Sequence, residues 1–528
     1  MEAPRTIPEL LARNVRDFGA REALVAKPYK SEVWTRRTWA ELNSAADRLA
    51  AGLAGLGLAQ GTRLAFLSGN CLECYETYLA AHKLGAVFLP LNARLAAREI
   101  ADIVEQSRAE FLVFASEFSA TVAGLRERTG LKALVCLAGE GESPPDGAVP
   151  YARLAEAAGP PPRVSLCPED VADILFTSGT TGRPKGVVLT QANKVACGRM
   201  LGACLGISRK FYGWEKMQSA VPFFTSSGVS SVLMNWLYYG FTLILETAFD
   251  VLSALETIHR ERTTHWGAVP AMIGFLLDHP RFREFDASSL RLITYGGSVM
   301  PEELIRRMQG TWPGIKVVNL YGLTEAGPGG LYLPAADALF KPGSIGIPWT
   351  PDQEARIVDP EGRDAKAGEV GEIILRGPNV MQGYDGNEAA TREALWDGWL
   401  YTGDLAWHDE DGYFYYADRK KDMIIRGGYN IYPAEVENVF HEHPGVAQAA
   451  VIGIPHARLG EDLLAFVTGR GDKTPTTEEL RAFCRDKLAD YKIPRNVRFL
   501  DSLPLNAMGK LDKKELRKLT DRSGEDAS

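Results

Sequence analysis

Several things are scarce or missing in this 528-residue sequence, and each absence removes a class of function. Cysteine is sparse and odd in number, seven in all, so a secreted disulfide framework is not expected and a reducing, cytoplasmic setting fits better. The pair Cys71 and Cys74 reads C-x-x-C, but it stands in a helix-like run with no second pair and no histidine at metal spacing, so a helix role is expected rather than redox or metal chemistry. Positive charge is not in excess: 59 Lys and Arg against 67 Asp and Glu leave a net charge of −8, which argues against a nucleic-acid surface. The N-terminal MEAPRTIPELLARN has no basic region followed by an apolar block, so no signal peptide is expected. The most apolar stretch, 230–245, contains Asn235 and Gly240 and falls short of the roughly 20 residues that a transmembrane helix needs. A buried strand or helix is expected there. No internal repeat is visible.

What remains is the composition of a globular protein: 45% hydrophobic and 24% charged residues suffice for a large core. The chain exceeds the ~250–300 residues at which one core stops growing, so two or more domains are expected. Thr38 and Glu41 form a capping box ahead of Leu42, Ala45, Leu49, Leu53 and Leu56 at helical spacing. From there to about residue 320, strand and helix patterns alternate as in an α/β protein with parallel-type sheets. A Pro-rich connection lies at 140–165. Short strands and turns from about 340 suggest a small β-rich subdomain. Beyond 421 a short strand, a Gly-Gly loop, a helix opened by Pro433, the strand 449–454 and a helix presenting Leu480, Phe483, Cys484, Leu488 and Tyr491 suggest a small α+β domain. The predicted domains are 1–420 and 421–528.

The richest segment for chemistry follows the apolar run Val171 to Phe176: Thr177, Ser178, Gly179, Thr180, Thr181, Gly182, Arg183, Pro184, Lys185 and Gly186. Glycines, hydroxyls and one lysine make a loop whose amides, hydroxyls and ammonium can surround phosphate oxygens. It matches neither G-x-x-x-x-G-K-[ST] nor G-x-G-x-x-G. H-E-x-x-H is absent, and Ser298 lacks the second glycine of G-x-S-x-G, so metalloprotease and serine-hydrolase readings fail. His441, Glu442 and His443 read as a solvated helix end, and His265 beside Trp266 as a core residue.

This loop resembles the phosphate-binding signature of the adenylate-forming superfamily: acyl-CoA synthetases, luciferases and peptide-synthetase adenylation domains. Further segments resemble that family's motifs, in the family's order. Asn319, Leu320, Tyr321, Gly322, Leu323, Thr324 and Glu325 resemble the second nucleotide motif; the resemblance implies that Tyr321 lies against adenine, that Thr324 contacts the α-phosphate and that Glu325 helps to hold Mg²⁺. Tyr401 to Asp404 is similar to the motif whose aspartate accepts from the ribose hydroxyls. Asp418 to Asp422 resembles the hinge motif, with Arg419 reaching the nucleotide and Lys421 as pivot. Pro504 to Lys510 resembles the segment carrying the catalytic lysine, Lys510. Tyr295, Gly296, Gly297 and Ser298 resemble a strand end where substrate and adenine approach the backbone. Val221 to Gly228 resembles an acid-site motif that in many members has histidine where this chain has Thr225; Phe224, Thr225, Gly296 and Ser298 are the acid-site candidates. Gly427 and Gly428 are the candidates for the pantetheine channel.

The resemblance implies an ATP-dependent acid:CoA ligase that uses ATP, Mg²⁺ and coenzyme A, activates a carboxylic acid as its adenylate, and passes the acyl group to the CoA thiol while a mobile C-terminal domain rotates. A fatty acid is the first expectation for the acid and an aryl acid the next. The resemblance also leaves open the loading of a carrier protein, although no carrier domain follows residue 528, as well as luciferase-like oxidation, bare nucleotide binding and a homodimeric state. The amino-acid-activating members generally place an aspartate within 222–228 to meet the substrate amine, and none stands there.

Overall fold

Local caps start the helices where the sequence signals them. The Thr38 hydroxyl accepts from the Glu41 amide and the Glu41 carboxylate accepts from the Thr38 amide, 3.2 and 2.8 Å apart. The helix Trp39–Gly55 then turns Leu42, Ala45, Leu49 and Leu53 into the core, each fully buried leucine contributing roughly 2 kcal/mol. Its last turn closes one residue before Leu56. In the computed structural model, residues 3–126, 128–177, 184–209, 215–297, 300–456, 458–470, 474–485, 487–506 and 511–522 are described. Ser178, Gly179, Thr180, Thr181, Gly182, Arg183, Ser298 and Lys510 lie outside them.

The chain packs as two compact units, Met1–Ala355 with Ile374–Thr402, and Arg356–Ile373 with Gly403–Ser528. Residues 356–373 and 403–420 thus pack with the C-terminal residues, whereas the sequence suggested a boundary at 420/421. The first unit holds two sheets. In one, the strands Glu22–Ala26, Thr242–Leu245, Lys216–Ser219, His265–Ala268, Leu292–Gly296 and Lys316–Gly322 run parallel side by side. Antiparallel strands flank them, Thr35–Thr38 on one side and Gly330–Leu333 with Ser344–Pro348 on the other. In the other, Val171–Thr177, Val87–Pro90, Arg63–Leu67, Phe111–Ala115, Ala133–Leu137 and Ala148–Pro150 are parallel. Lys185–Thr190 runs antiparallel to Val171–Thr177 and carries Gly383–Tyr384 on its far edge. Parallel strands buried on both faces by helices explain the near-continuous apolar runs of this region. The fold is the large α/β architecture expected.

Residues 230–245 do not form one element. A π-helical turn, Ser227–Val232, passes into the helix Leu233–Tyr239, Gly240 closes it in the left-handed conformation, and the strand Thr242–Leu245 follows. No described helix is long and apolar enough to cross a membrane. Cys71 and Cys74 are buried free thiols, Cys71 standing at the N-cap of the helix Leu72–Lys83, in keeping with the helix reading.

The second unit contains a sheet of Tyr429–Ile431, Ile424–Arg426, Gly460–Gly469 and Val446–His456, with Asn496–Phe499 parallel beside Gly460–Gly469. The helix expected through Tyr491 is shorter, spanning Thr477–Cys484. Leu488 still reaches the core, but from a turn, and the backbone from Asp490 to Lys492 is 3-10. A periodic apolar pattern therefore continued past the end of the regular helix.

Candidate functional site

In the first unit the strands on either side of residues 178–184 and the segment Asn319–Glu325 meet across the two sheets. The strand Val171–Thr177 delivers Thr177, and Lys185 begins the return strand directly opposite it. The ammonium of Lys185 lies 4.9 Å from the centre of the Tyr384 ring, a cation–π distance. The Tyr384 hydroxyl donates to Glu325 Oε1 at 3.0 Å. Burial and the Glu325 carboxylate both push the Tyr384 phenol above its ordinary value, so it remains the donor. Tyr384 therefore links Lys185, at the start of the strand Lys185–Thr190, to Glu325 in the 3-10 turn Thr324–Ala326 that follows the last parallel strand of the first sheet.

Two contacts hold this link in place. The Met381 amide donates to the Glu325 carbonyl at 2.8 Å. Arg63 grips both oxygens of Asp385 at 2.7 and 2.8 Å, while the Asp385 amide donates to Gly186 O at 2.7 Å. A bidentate guanidinium–carboxylate pair fixes orientation as well as distance, so the residues next to Tyr384 are tied to the strand that follows the loop. Tyr384 and Asp385 were not singled out by sequence, since nothing in a tyrosine 59 residues from Glu325 announces the contact.

The remaining first-unit residues stand at the carboxyl ends of adjacent parallel strands, where open α/β sheets bind ligands. Gly296 ends the strand Leu292–Gly296 and pairs with Leu320, one residue from Asn319 and from Tyr321 on the neighbouring strand. Gly297 follows it. The Asn319 amide nitrogen donates to Ser344 O at 3.3 Å, which turns this side chain toward the sheet. Gly322 is required sterically: a Cβ there would sit 1.8 Å from the Pro328 carbonyl oxygen. Thr225 is engaged locally, its hydroxyl donating to Pro222 O at 2.7 Å and accepting from Gly228 N at 2.9 Å. It thus engages the first residues of the π-helical turn, and Phe224 beside it is half-buried.

In the second unit, Asp404 and Arg419 face each other across antiparallel strands, with Nε 2.6 Å from Oδ1. Asp404 is buried and Arg419 half-exposed, so the carboxylate is fixed while the guanidinium reaches outward. Gly427 and Gly428 are the two-residue loop between Arg426 and Tyr429, both with positive φ of +59° and +88°, which is the turn that such a pair supplies in a hairpin. Lys421 is exposed in the turn ahead of that hairpin.

Glu325 can offer an ion its second carboxylate oxygen, beside the hydroxyl of Thr324. One hard oxygen donor beside a hydroxyl fits Mg²⁺, which is bound by one or two carboxylates together with substrate phosphates and water.

The fold is a large α/β architecture whose candidate residues gather at the carboxyl edge of its parallel strands, with a second unit bearing the fixed pair Asp404–Arg419. The chain belongs to the AMP-binding enzymes: that family matches residues 11–385, and the family's C-terminal domain matches residues 435–510. It is 40% identical to a feruloyl-CoA synthase of an Amycolatopsis species over 92% of this chain and 94% of the relative. It is 34% identical to the long-chain-fatty-acid–CoA ligase FadD13 of Mycobacterium tuberculosis over 91% and 93%. Among solved structures it is similar to the o-succinylbenzoate CoA synthetase MenE of Bacillus subtilis in complex with ATP and magnesium ion, with a TM-score of 0.83 and 31% identity over 96% of this chain and 99% of that one.

Proposed function

We propose that this chain is an AMP-forming acid:CoA ligase. The observation that carries the reading is the contact of Tyr384 with both Lys185 and Glu325, which ties the cation of the hydroxyl-rich segment's return strand to a carboxylate of the second motif. In the first half-reaction a carboxylate oxygen of the acid forms a bond to the α-phosphorus of ATP, the bond from that phosphorus to the bridging oxygen breaks, and pyrophosphate leaves. Two anions must meet, so the site's work is positioning and charge stabilisation. Thr177, Ser178, Gly179, Thr180, Thr181, Gly182 and Lys185 hold the phosphates, Thr324 donates to the α-phosphate, and Glu325 holds Mg²⁺, which when bound neutralises phosphate charge. Gly297, Asn319, Tyr321 and Gly322 receive the adenosine. Asp404 accepts from the ribose hydroxyls, Arg419 reaches the phosphate side, and Lys510 brings its ammonium to the point where carboxylate and phosphate meet.

In the second half-reaction the sulfur of CoA bonds to the acyl carbon, the carbon–oxygen bond to AMP breaks, and the thiol proton is released. A turn of the C-terminal domain about Lys421 withdraws Lys510 and presents Gly427 and Gly428 to the pantetheine arm, a lid movement that lets one site run two steps.

For the acid, bounded by Phe224, Thr225, Gly296 and Ser298, a ring-bearing substrate is the first reading, favoured by the likeness to a feruloyl-CoA synthase over 92% of this chain. Thr225, folded onto its own backbone, also leaves room where a histidine ring would stand. A straight-chain fatty acid is the second reading, favoured by the likeness to FadD13. The deciding experiment is a panel of aromatic, fused-ring and aliphatic acids, read as pyrophosphate release with and without CoA and as acyl-CoA formed. Highest kcat/KM on an aromatic acid supports the first reading and on a long-chain acid the second. Acyl transfer to a holo carrier protein but not to CoA would refute the ligase assignment.

A further inference from the structure

A buried polar cluster lies beneath the site and takes no part in the steps above. Asp173, Lys194 and His82 are each fully shielded from solvent. Lys194 Nζ stands 2.5 Å from Asp173 Oδ2, and Tyr78 donates to the same oxygen at 3.3 Å. His82 Nε2 is 3.2 Å from Asp173 Oδ1, and its Nδ1 is 3.2 Å from the Gln191 amide nitrogen. With the amide donating to Nδ1, the imidazole is neutral and donates from Nε2 to the carboxylate. Burial pushes the imidazole below its ordinary value. Burial also opposes the Asp173 charge, but Lys194 and His82 outweigh it and hold the carboxyl below its usual range. The cluster thus balances one anion against one cation.

A buried ion pair is weak as a stability device, because an apolar pair of equal volume commonly does as well. This lysine does something that an apolar side chain would not. It also donates to Val229 O at 2.9 Å and to Ser230 Oγ at 2.7 Å, both inside the π-helical turn Ser227–Val232. Such turns shift the helical hydrogen bonds, and they gather at functional sites. The three anchored elements are those that carry the two halves of the site. Asp173 is four residues before Thr177 on the strand entering the proposed phosphate loop, Lys194 is on the helix Gln191–Cys204 after the strand that leaves it, and the turn continues the acid-side segment, whose Thr225 hydroxyl accepts from the Gly228 amide within it.

We propose that Lys194 is a positioning residue for the acid: paired to Asp173, it fixes the π-helical turn and so sets the segment Phe224–Gly228 in register with the nucleotide-loop strand. This rests on the acid-side assignment proposed above. The test uses the full chain. Lys194→Met alone strands a buried carboxylate and is expected to fold poorly, so the informative variant is Asp173→Asn with Lys194→Met, which removes both charges and keeps the volume. The expected result is a rise of about tenfold in KM for the acid, the scale of a lost charged hydrogen bond, with KM for ATP within about twofold of wild type. Amide exchange should quicken in peptides covering 225–233 and stay unchanged elsewhere in the first unit. Ser230→Ala, which leaves the ion pair intact, should shift acid KM the same way by a smaller factor. A folded double variant with wild-type acid KM and wild-type exchange at 225–233 would overturn the proposal. So would equal rises in both KM values with exchange quickened throughout, the mark of a purely structural pair. If the wild-type protein activated no acid at all, the proposed function would fall, while the exchange pattern would still judge the anchoring of the turn.

Discussion

His265 offers a pH test of how the first unit is built. It sits on the central parallel strand His265–Ala268 and is buried, with Nε2 3.0 Å from Thr294 Oγ1. Its Nδ1 has no hydrogen-bond partner among the described residues. Burial pushes its pKa down from 6.5 to about 3. The folded protein therefore keeps the ring neutral while the unfolded chain takes up a proton below about pH 6.5. Stability from this group is complete above that pH and is lost as pH falls toward 3, with a slope of about 1.4 kcal/mol per unit. By pH 5 the loss reaches about 2 kcal/mol, the slope times 1.5 units. Glu246 and Glu76, both raised to about 7 by burial, act in the opposite sense: their contribution is complete below about pH 4.5 and is lost as pH rises through 7. The wild-type curve alone would mix the three, so the comparison is with His265→Gln, which keeps a donor for Thr294 and removes the titration. Urea unfolding of both proteins at pH 5, 6, 7 and 8 should give a stability difference that is constant between pH 7 and 8 and moves against the wild type by about 2 kcal/mol at pH 5. Parallel curves over the whole range would refute the reasoning, because they would mean that the ring titrates alike in both states.

Two other expectations concern the site. Gly322→Ala must push the Pro328 carbonyl or its own strand aside, since the new carbon would stand 1.8 Å from that oxygen; a loss of more than about 2 kcal/mol in urea unfolding and a fall in pyrophosphate release by orders of magnitude are expected, and wild-type values of both would show that the approach is not rigid. Lys510→Ala should lose pyrophosphate release yet convert a supplied acyl-adenylate to acyl-CoA, whereas Lys421→Pro, with φ fixed at the pivot, should form adenylate and thioesterify it poorly; single-turnover assays of each half-reaction that find equal loss of both steps in both variants would dispose of the division of labour.

What could be read from sequence is what depends on neighbours in the chain. Thr38 and Glu41 are three residues apart, and their reciprocal caps form; Gly427 and Gly428 adopt the two positive φ values of a tight hairpin; the alternation of apolar strands and helices yields parallel sheets. The end of the helix at Cys484 was not legible, because Leu488 and Tyr491 keep the apolar spacing while the backbone has already turned. The site's internal supports were hidden for a different reason. Asp173 reads as one carboxylate interrupting an apolar strand, and Lys194 as one cation in a helix of small residues; each would be costly to bury alone. Their meaning appears only when the fold places them 2.5 Å apart and gives the lysine two further acceptors in the π-helical turn. Tyr384 is similar, an aromatic in a two-residue edge strand whose ring meets Lys185 and whose hydroxyl meets Glu325. A charge inside an apolar run is thus a question that the sequence can pose, and its answer lies in a partner supplied by another element. The motif residues at the strand ends and the buried residues beneath them are for that reason complementary: the first stand in short recognisable strings, and the second meet through contacts between distant parts of the chain.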